Sequence, residues 1–147
     1  MSEEHSIDTL NELLKGEHMA IHIYGKTKEL QQDSQVTDML SKFESDHNRH
    51  AEQLTQRIKD LGGYPNAMTG FSGMMANLTS VINAIRGPKH LLKQVYDGED
   101  KGVHAYEDRL NRLDPDSQDA IRQIMKEDHD HLKWFKARME EEKREQH

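Results

Sequence analysis

The stretch that decides the fold is residues 43–65, which read FESDHNRHAEQLTQRIKDLGGYP. Its apolar residues recur at alternating intervals of three and four, which is typical of one buried face of an α-helix. The run GGYP at 62–65 is typical of a helix end, because glycine adopts the left-handed cap and proline blocks continuation. Read back to residue 36, the inward positions are Val36, Leu40, Phe43, His47, Leu54, Ile58 and Leu61. A histidine therefore falls in the middle of a face that should be apolar.

The same period extends over most of the chain. We predict four long helices over about 6–32, 36–61, 89–113 and 118–143, with Ser6 as the N-cap of the first. The first and last connections are short, so each joins an antiparallel hairpin, whereas residues 62–88 form a long crossover. Within the crossover, Met74 to Ile85 should form a further helical segment. The predicted fold is all-α: a single-domain antiparallel four-helix bundle over 1–147 with one long crossover.

Composition limits the classes of function. Of 147 residues, 33% are hydrophobic and 32% charged, a balance typical of long amphipathic helices. The net charge of −7 argues against nucleic acid or an anionic membrane surface as a partner. The chain has no cysteine, which excludes disulfides and thiolate metal sites. No apolar run is long enough to span a membrane and the first twenty residues are polar, so we expect a cytoplasmic protein.

Each predicted helix has charged or polar residues where its inward row should be apolar. An ionised carboxylate is not stable in a dry core without a partner, so four such interruptions require an explanation. A glutamate from each of two helices, with a carboxylate-x-x-histidine pair from each of the other two, is the ligand pattern of di-iron bundles. The residues concerned are Glu17 on the first helix, Glu44 and His47 on the second, Glu99 on the third, and Asp128 and His131 on the fourth.

The two hairpins echo one another. Tyr24 follows Glu17 by seven residues, and Tyr106 follows Glu99 by seven. Both glutamates and both tyrosines are offset by 82 between the hairpins, and the carboxylate–histidine pairs by 84. We therefore expect each phenol to hydrogen-bond a metal-binding carboxylate on a neighbouring helix.

Taken together, these residues resemble the ferritin-like superfamily, and most closely its rubrerythrin-like branch of stand-alone bundles of unassigned function. The resemblance implies that Glu17, Glu44 and His47 bind one iron ion, that Glu99, Asp128 and His131 bind a second, and that the motif carboxylates bridge them. Manganese or zinc could replace iron. The chain departs from the pattern at residue 128, where an aspartate replaces the usual glutamate, and Glu127 is an alternative ligand.

Three functions fit the resemblance. The first is redox chemistry on oxygen or peroxide, as a peroxidase, oxidase or ferroxidase that takes electrons from a separate donor. The second is non-catalytic iron binding or storage. The third is a metal-free helical bundle that acts through protein contacts. We expect a homodimer, with the Met74–Ile85 segment as a candidate apolar surface.

The remaining histidines lie off the inward rows. His50 lies one turn beyond His47, where it is either an extra metal ligand or partly exposed, and we predict the second. Four more should lie on the surface, where an accessory metal site is the alternative: His18, His22, His104 and His129.

Overall fold

The computed structural model describes residues 3–68 and 70–145. Within these ranges the chain forms five α-helices and one short 3-10 turn, with no β-strand, which confirms the predicted all-α bundle. The elements are α1 (Glu3–Glu29), α2 (Ser34–Asp60), α3 (Phe71–Ala84), α4 (Pro88–Arg109), the 3-10 turn (Leu110–Arg112) and α5 (Pro115–Glu145).

The start of α1 differs from the prediction. The helix begins at Glu3, so Ser6 is not its N-cap. Glu3 and Glu4 lie in the first turn, where negative charge interacts favourably with the helix dipole. Ser6 is buried instead, and its hydroxyl oxygen accepts a hydrogen bond from the Asp114 backbone N–H at 3.2 Å. It therefore ties α1 to the turn that precedes α5.

The four long helices form a closed ring of neighbours. Helix α1 packs against α2 and α4, and α5 packs against α2 and α4. Helices α1 and α4 run antiparallel, since Tyr24 lies opposite Glu99 while Tyr106 lies opposite Glu17. The predicted segment in the crossover is present as α3, which packs on α1. None of the described helices is long and apolar enough to cross a membrane.

The bundle interior consists of two apolar layers. The first layer contains Leu10, Leu13, Leu14, Ala51, Leu54, Ile58, Ala67, Tyr106, Leu113, Ile121 and Ile124. The second contains Tyr24, Val36, Leu40, Phe43, Leu92, Val95 and Phe135. Truncating a fully buried leucine in either layer should cost about 2–5 kcal/mol of stability. Between the layers lies a band of buried charged and polar side chains, and that band is the candidate site.

Candidate metal centre

Helices α1 and α4 each contribute one glutamate and one tyrosine to the buried band. Glu17 is 3% exposed and Glu99 is 6% exposed. The Tyr106 hydroxyl donates to Glu17 Oε1 at 2.5 Å, and the Tyr24 hydroxyl donates to Glu99 Oε2 at 3.2 Å. The predicted hydrogen bonds are thus present and reciprocal. Each tyrosine fixes the carboxylate on the other helix. This is possible because the tyrosine follows the glutamate by seven residues on both helices, and the two helices run antiparallel.

His47 of α2 lies between the two glutamates. Its Nδ1 is 2.6 Å from Glu17 Oε2, and its Nε2 is 3.0 Å from Glu99 Oε2. Both ring nitrogens therefore face carboxylates. Burial would lower the pKa of His47, but the charges of Glu99 and Glu17 raise it well above the ordinary value.

Two further histidines connect the band to the outside of the bundle. His131 of α5 is 2.6 Å from Glu99 through Nδ1 and 2.8 Å from Asp46 through Nε2. His50 of α2 directs Nδ1 inward and bonds Glu127 through Nε2. The expectation that His50 is partly exposed is wrong, because its side chain is 0% exposed. An imidazole bonded to an outer carboxylate has a fixed ring orientation, which is the usual environment of metal-binding histidines.

One arginine joins the two outer carboxylates. The Arg49 guanidinium donates to Asp46 Oδ1 at 2.9 Å and to Glu127 Oε1 at 2.9 Å. Glu127 and Arg49 are both exposed enough to contact solvent. Glu127, the alternative ligand on the fourth helix, therefore lies outside the buried band and orients His50 instead.

Asp128 of α5 projects into the centre of the band. It is 2% exposed, and its Oδ1 has no hydrogen-bond partner among the described residues. Three imidazole nitrogens surround that oxygen: His131 Nδ1 at 3.6 Å, His50 Nδ1 at 3.8 Å and His47 Nε2 at 3.9 Å. His50 Nδ1 is likewise buried without a partner in the described part of the chain.

The carboxyl groups of the band differ in their proton affinity. Burial would raise the pKa of Glu17, but the charge and hydrogen bond of His47, with His50 close by, lower it to about 2. Glu99 is similar: burial opposes ionisation, but His47 and His131 lower its pKa well below the ordinary value. For Asp128, burial and the charge of Glu99 raise the pKa to about 10. At neutral pH the metal-free site therefore contains two carboxylates and one carboxylic acid.

The side chains that could share an ion form two overlapping groups. His47, Glu99, Asp128 and His131 offer ligand atoms that all lie within 4.8 Å of one another, and so do Glu17, His47 and His50. The structure does not bring Glu44 into either group. Its carboxylate is 20% exposed and accepts from Lys28 Nζ at 2.7 Å, on the outer edge of the α1–α2 interface.

The motif on α2 is therefore shifted by one turn from the sequence prediction. His47-x-x-His50 occupies the place expected for Glu44-x-x-His47, and it faces Asp128-x-x-His131 across the bundle. A signal for this register exists in the sequence. These two pairs are offset by 81 residues, closer to the 82 of the glutamates and tyrosines than the 84 of the predicted pairing.

The band fits a pair of metal ions. Two ligand atoms on one ion, each bonded at about 2.0–2.2 Å, lie roughly 3–4 Å apart. Asp128 Oδ1 and His50 Nδ1 are 3.8 Å apart and have no partner, and Asp128 Oδ1 and His131 Nδ1 are 3.6 Å apart. Three carboxyl groups and three imidazoles are ligands suited to iron, manganese or zinc.

Comparison with known proteins gives a family of unknown function. The family model described as "Domain of unknown function (DUF2383)" matches residues 5–112, from α1 to the end of the 3-10 turn. No curated protein is a significant sequence match to the chain.

Solved structures give the fold. A two-domain protein from Anabaena variabilis ATCC 29413, containing DJ-1/ThiJ/PfpI-like and ferritin-like domains, matches with a TM-score of 0.85 and 16% identity. That match covers 97% of this chain and 41% of the Anabaena protein, so the chain spans about two fifths of its length.

The descriptions of two further matching structures mention diiron. A Desulfovibrio desulfuricans bacterioferritin with a diiron site matches with a TM-score of 0.79 and 21% identity, over 97% of this chain and 82% of that chain. A ferritin-like diiron-carboxylate protein from Bacillus anthracis str. Ames matches with a TM-score of 0.58 and 22% identity, over 98% of both chains. These similarities confirm the predicted ferritin-like fold.

Proposed function

The chain belongs to the DUF2383 family, whose description assigns no activity, and we propose from its site geometry that it binds two iron-type ions and reduces oxygen or peroxide. Support comes from the fold, which is that of diiron bundles, and from the six buried side chains between the two apolar layers. The single observation that carries the proposal is the pairing of Asp128 Oδ1 with His50 Nδ1, two buried polar atoms without partners that face each other at 3.8 Å.

A buried polar atom without a hydrogen-bond partner lowers folding stability by about 1–3 kcal/mol. In a protein that never binds metal, nothing would offset this loss for Asp128 Oδ1 and His50 Nδ1. Metal ions bonded to these two atoms would satisfy both of them. The ligands we assign are Glu17, His47 and His50 on one side, and Glu99, Asp128 and His131 on the other, with His47 within reach of both groups. This set replaces Glu44 of the sequence prediction by His50.

Two ferrous ions bound there would supply the two electrons that convert hydrogen peroxide and two protons into two water molecules. The residues of the chain hold the metal ligands in place. Tyr24 and Tyr106 hold the two glutamates in place through their hydroxyl groups. Burial and the charges of the nearby carboxylates raise the pKa of both phenols well above 10.0, so both keep their protons at neutral pH.

Metal content of matched variants tests the assignment. Wild-type protein loaded anaerobically with Fe(II) should contain about two ions per chain. His50→Gln should lose at least one of them. Glu44→Gln is the matched control on the same helix and should retain both. Loss of metal in Glu44→Gln but not in His50→Gln would favour Glu44 as the ligand on α2, as the sequence predicted. Absence of metal from the wild type would exclude the proposal.

Rapid mixing distinguishes redox chemistry from simple iron binding. The ferrous protein should be oxidised by hydrogen peroxide or oxygen much faster than free Fe(II) under the same conditions. A rate equal to that of free Fe(II) would leave iron binding without catalysis. The site is open to solvent through a cavity between α1 and α4, which favours a reacting site over a closed one.

A further inference from the structure

A cavity of about 330 Å³ lies between α1 and α4. It opens to solvent on the face that α1 and α4 share, and its inner end is formed by Glu17, Glu99 and Asp128. The Asp128 carboxyl group, whose Oδ1 has no partner among the described residues, therefore lines the inner wall. The cavity joins the candidate metal centre directly to the outside of the bundle.

Small residues on both helices create this space. Gly16 and Ala20 line it from α1, and Gly98, Gly102 and Ala105 line it from α4. A Cβ atom placed on Gly16, Gly98 or Gly102 would meet no atom within 4 Å. Glycine inside a helix lowers stability by roughly 0.5–1 kcal/mol relative to alanine. Three glycines that face one opening therefore lower the stability of the bundle, and binding of a ligand in the opening would account for them.

The cavity is larger than oxygen or hydrogen peroxide requires. A water molecule occupies about 30 Å³ in the liquid, so either small oxidant would fill only a minor part of the volume. The volume is instead at the lower end of the range for small organic ligands, about 300–1,000 Å³. The middle of the wall is apolar, with Leu13, Ile23 and Val95 among its residues, and water gains little there.

We propose that the α1–α4 cavity binds an apolar organic hydroperoxide, with its hydrocarbon group along the small-residue wall and its O–O group against the carboxyl groups at the inner end. This proposal rests on the proposed function and narrows its substrate class. The hydrocarbon part is stabilised by burial against the apolar wall, which hydrogen peroxide cannot exploit. The polar end meets Asp128, the two tyrosine-bound carboxylates and His47, which are among the polar groups that line the cavity.

The reaction balances with the electrons of the metal pair. Cleavage of the O–O bond takes two electrons and two protons and gives one alcohol and one water molecule. The two electrons come from oxidation of the two ferrous ions to ferric ions, and a separate electron-donor protein must reduce the ions again. The alcohol product keeps the hydrocarbon group, so an unreactive alcohol is a suitable probe of the cavity.

Binding of cumyl alcohol to metal-free protein is the first test, because it requires neither metal nor turnover. Calorimetry or NMR titration should show saturable binding to the wild type. Gly102→Leu places a side chain in the cavity and should weaken binding by about tenfold or more. Gly73→Leu is the matched control, since Gly73 is also helical and also has no atom within 4 Å of an added Cβ, but lies in α3 outside the cavity.

We expect both variants to fold, because leucine has a higher helix propensity than glycine. Thermal unfolding of each variant measures its stability and separates weaker binding from loss of the fold. Absence of saturable binding to the wild type, or equal binding by Gly102→Leu, would overturn the proposal. Equal weakening in Gly73→Leu would also overturn it, because the effect would then not come from the cavity.

The second test compares two peroxides on the iron-loaded protein. Gly102→Leu should lower kcat/KM for cumene hydroperoxide about tenfold more than kcat/KM for hydrogen peroxide, because hydrogen peroxide enters by the same cavity but needs much less of its volume. An equal loss for both peroxides would show that the cavity does not select the hydrocarbon group. If the wild type does not bind metal, both the proposed function and hydroperoxide reduction are excluded. Binding of cumyl alcohol would then show only that the cavity accepts an apolar ligand.

Discussion

The hydroxyl group of Tyr106 lies 2.5 Å from Glu17 Oε1, across the interface between α4 and α1. The matching contact from Tyr24 to Glu99 is longer, at 3.2 Å. Both acceptors are buried carboxylates, and hydrogen bonds to charged groups contribute about 1.5–3 kcal/mol to stability. The two tyrosines therefore hold the two ends of the polar band with different strength.

Tyr106→Phe should destabilise the metal-free protein by about 1.5–3 kcal/mol, because it removes the short bond and leaves a lone pair of Glu17 without a donor. Tyr24→Phe should cost less, since its bond is longer. Urea denaturation of both variants at pH 7 measures the difference. A Tyr24→Phe variant less stable than Tyr106→Phe would contradict the ranking.

Asp128→Asn should stabilise the metal-free protein at pH 7, although it removes a metal ligand. The folded state raises the pKa of Asp128 from 3.8 to about 10, so the unfolded chain releases this proton first as pH rises. The resulting penalty is absent below about pH 4 and grows by about 1.4 kcal/mol per pH unit up to the folded pKa. At pH 7, about three units above the unfolded pKa, removing it should add on the order of 4 kcal/mol.

Thermal and urea unfolding between pH 4 and pH 8 measure this effect. The advantage of Asp128→Asn should shrink toward zero as pH falls to 4. Asp130→Asn, an exposed position on the same helix, serves as the control and should behave like the wild type. A variant less stable than the wild type at pH 7 would mean that Asp128 is ionised in the folded protein.

Metal binding at pH 7 should release about two protons per chain, one from Asp128 and one from His47. Both groups bear a proton in the metal-free site, since burial and the charge of Glu99 raise the pKa of Asp128, and Glu99 and Glu17 raise that of His47. Both must lose it to bond an ion. Anaerobic addition of Fe(II) in weak buffer with a pH indicator counts the protons.

The Asp128→Asn variant, which lacks one of these protons, should release one fewer for each chain that still binds metal. Proton release that is unchanged in this variant would exclude Asp128 as a source.

Arg49→Ala should lower metal affinity by about tenfold, without removing any ligand. Arg49 fixes Asp46 and Glu127, which in turn orient His131 and His50, and outer partners of metal ligands are typically worth 10–100-fold in affinity. Arg122→Ala is the control, because Arg122 is exposed on α5 and pairs with Asp119, one turn away on the same helix. Competition with a chromophoric chelator measures both, and equal affinities in the two variants would contradict a positioning role.

The pH profile of the ion pair between Glu17 and His47 has two limits. Glu17 has its pKa lowered to about 2, so its contribution is present above about pH 4.5 and is lost as pH falls toward 2. His47 has its pKa raised, so its contribution is present below about pH 6.5 and is lost as pH rises through the folded value. Glu17→Gln should therefore cost most stability between about pH 4.5 and 6.5, measured by urea unfolding across that range.

Much of the site was predictable because it repeats. Glu17 and Tyr24 on α1, and Glu99 and Tyr106 on α4, share one spacing, and that spacing keeps each pair on one face of its helix. Antiparallel packing of the two helices then places each tyrosine opposite the other helix's glutamate. Asp128 and His131 were also predictable, since both fall within an otherwise apolar row.

The sequence by itself determined the number of long helices, the long crossover, and the presence of a charged band inside an apolar bundle. The helical period of α2 alone could not determine which neighbour of His47 faces inward, although the offset of 81 residues between the hairpins favours His50. Glu44 and His50 lie three residues before and three residues after His47, which places them roughly 60° to either side of it around the helix. Both positions satisfy the same period, and only the rotation of α2 against α1 and α5 separates them. Packing turned His50 into the band and left Glu44 beside Lys28 at the edge, because the tertiary contacts of the whole helix set a rotation that no local pattern specifies.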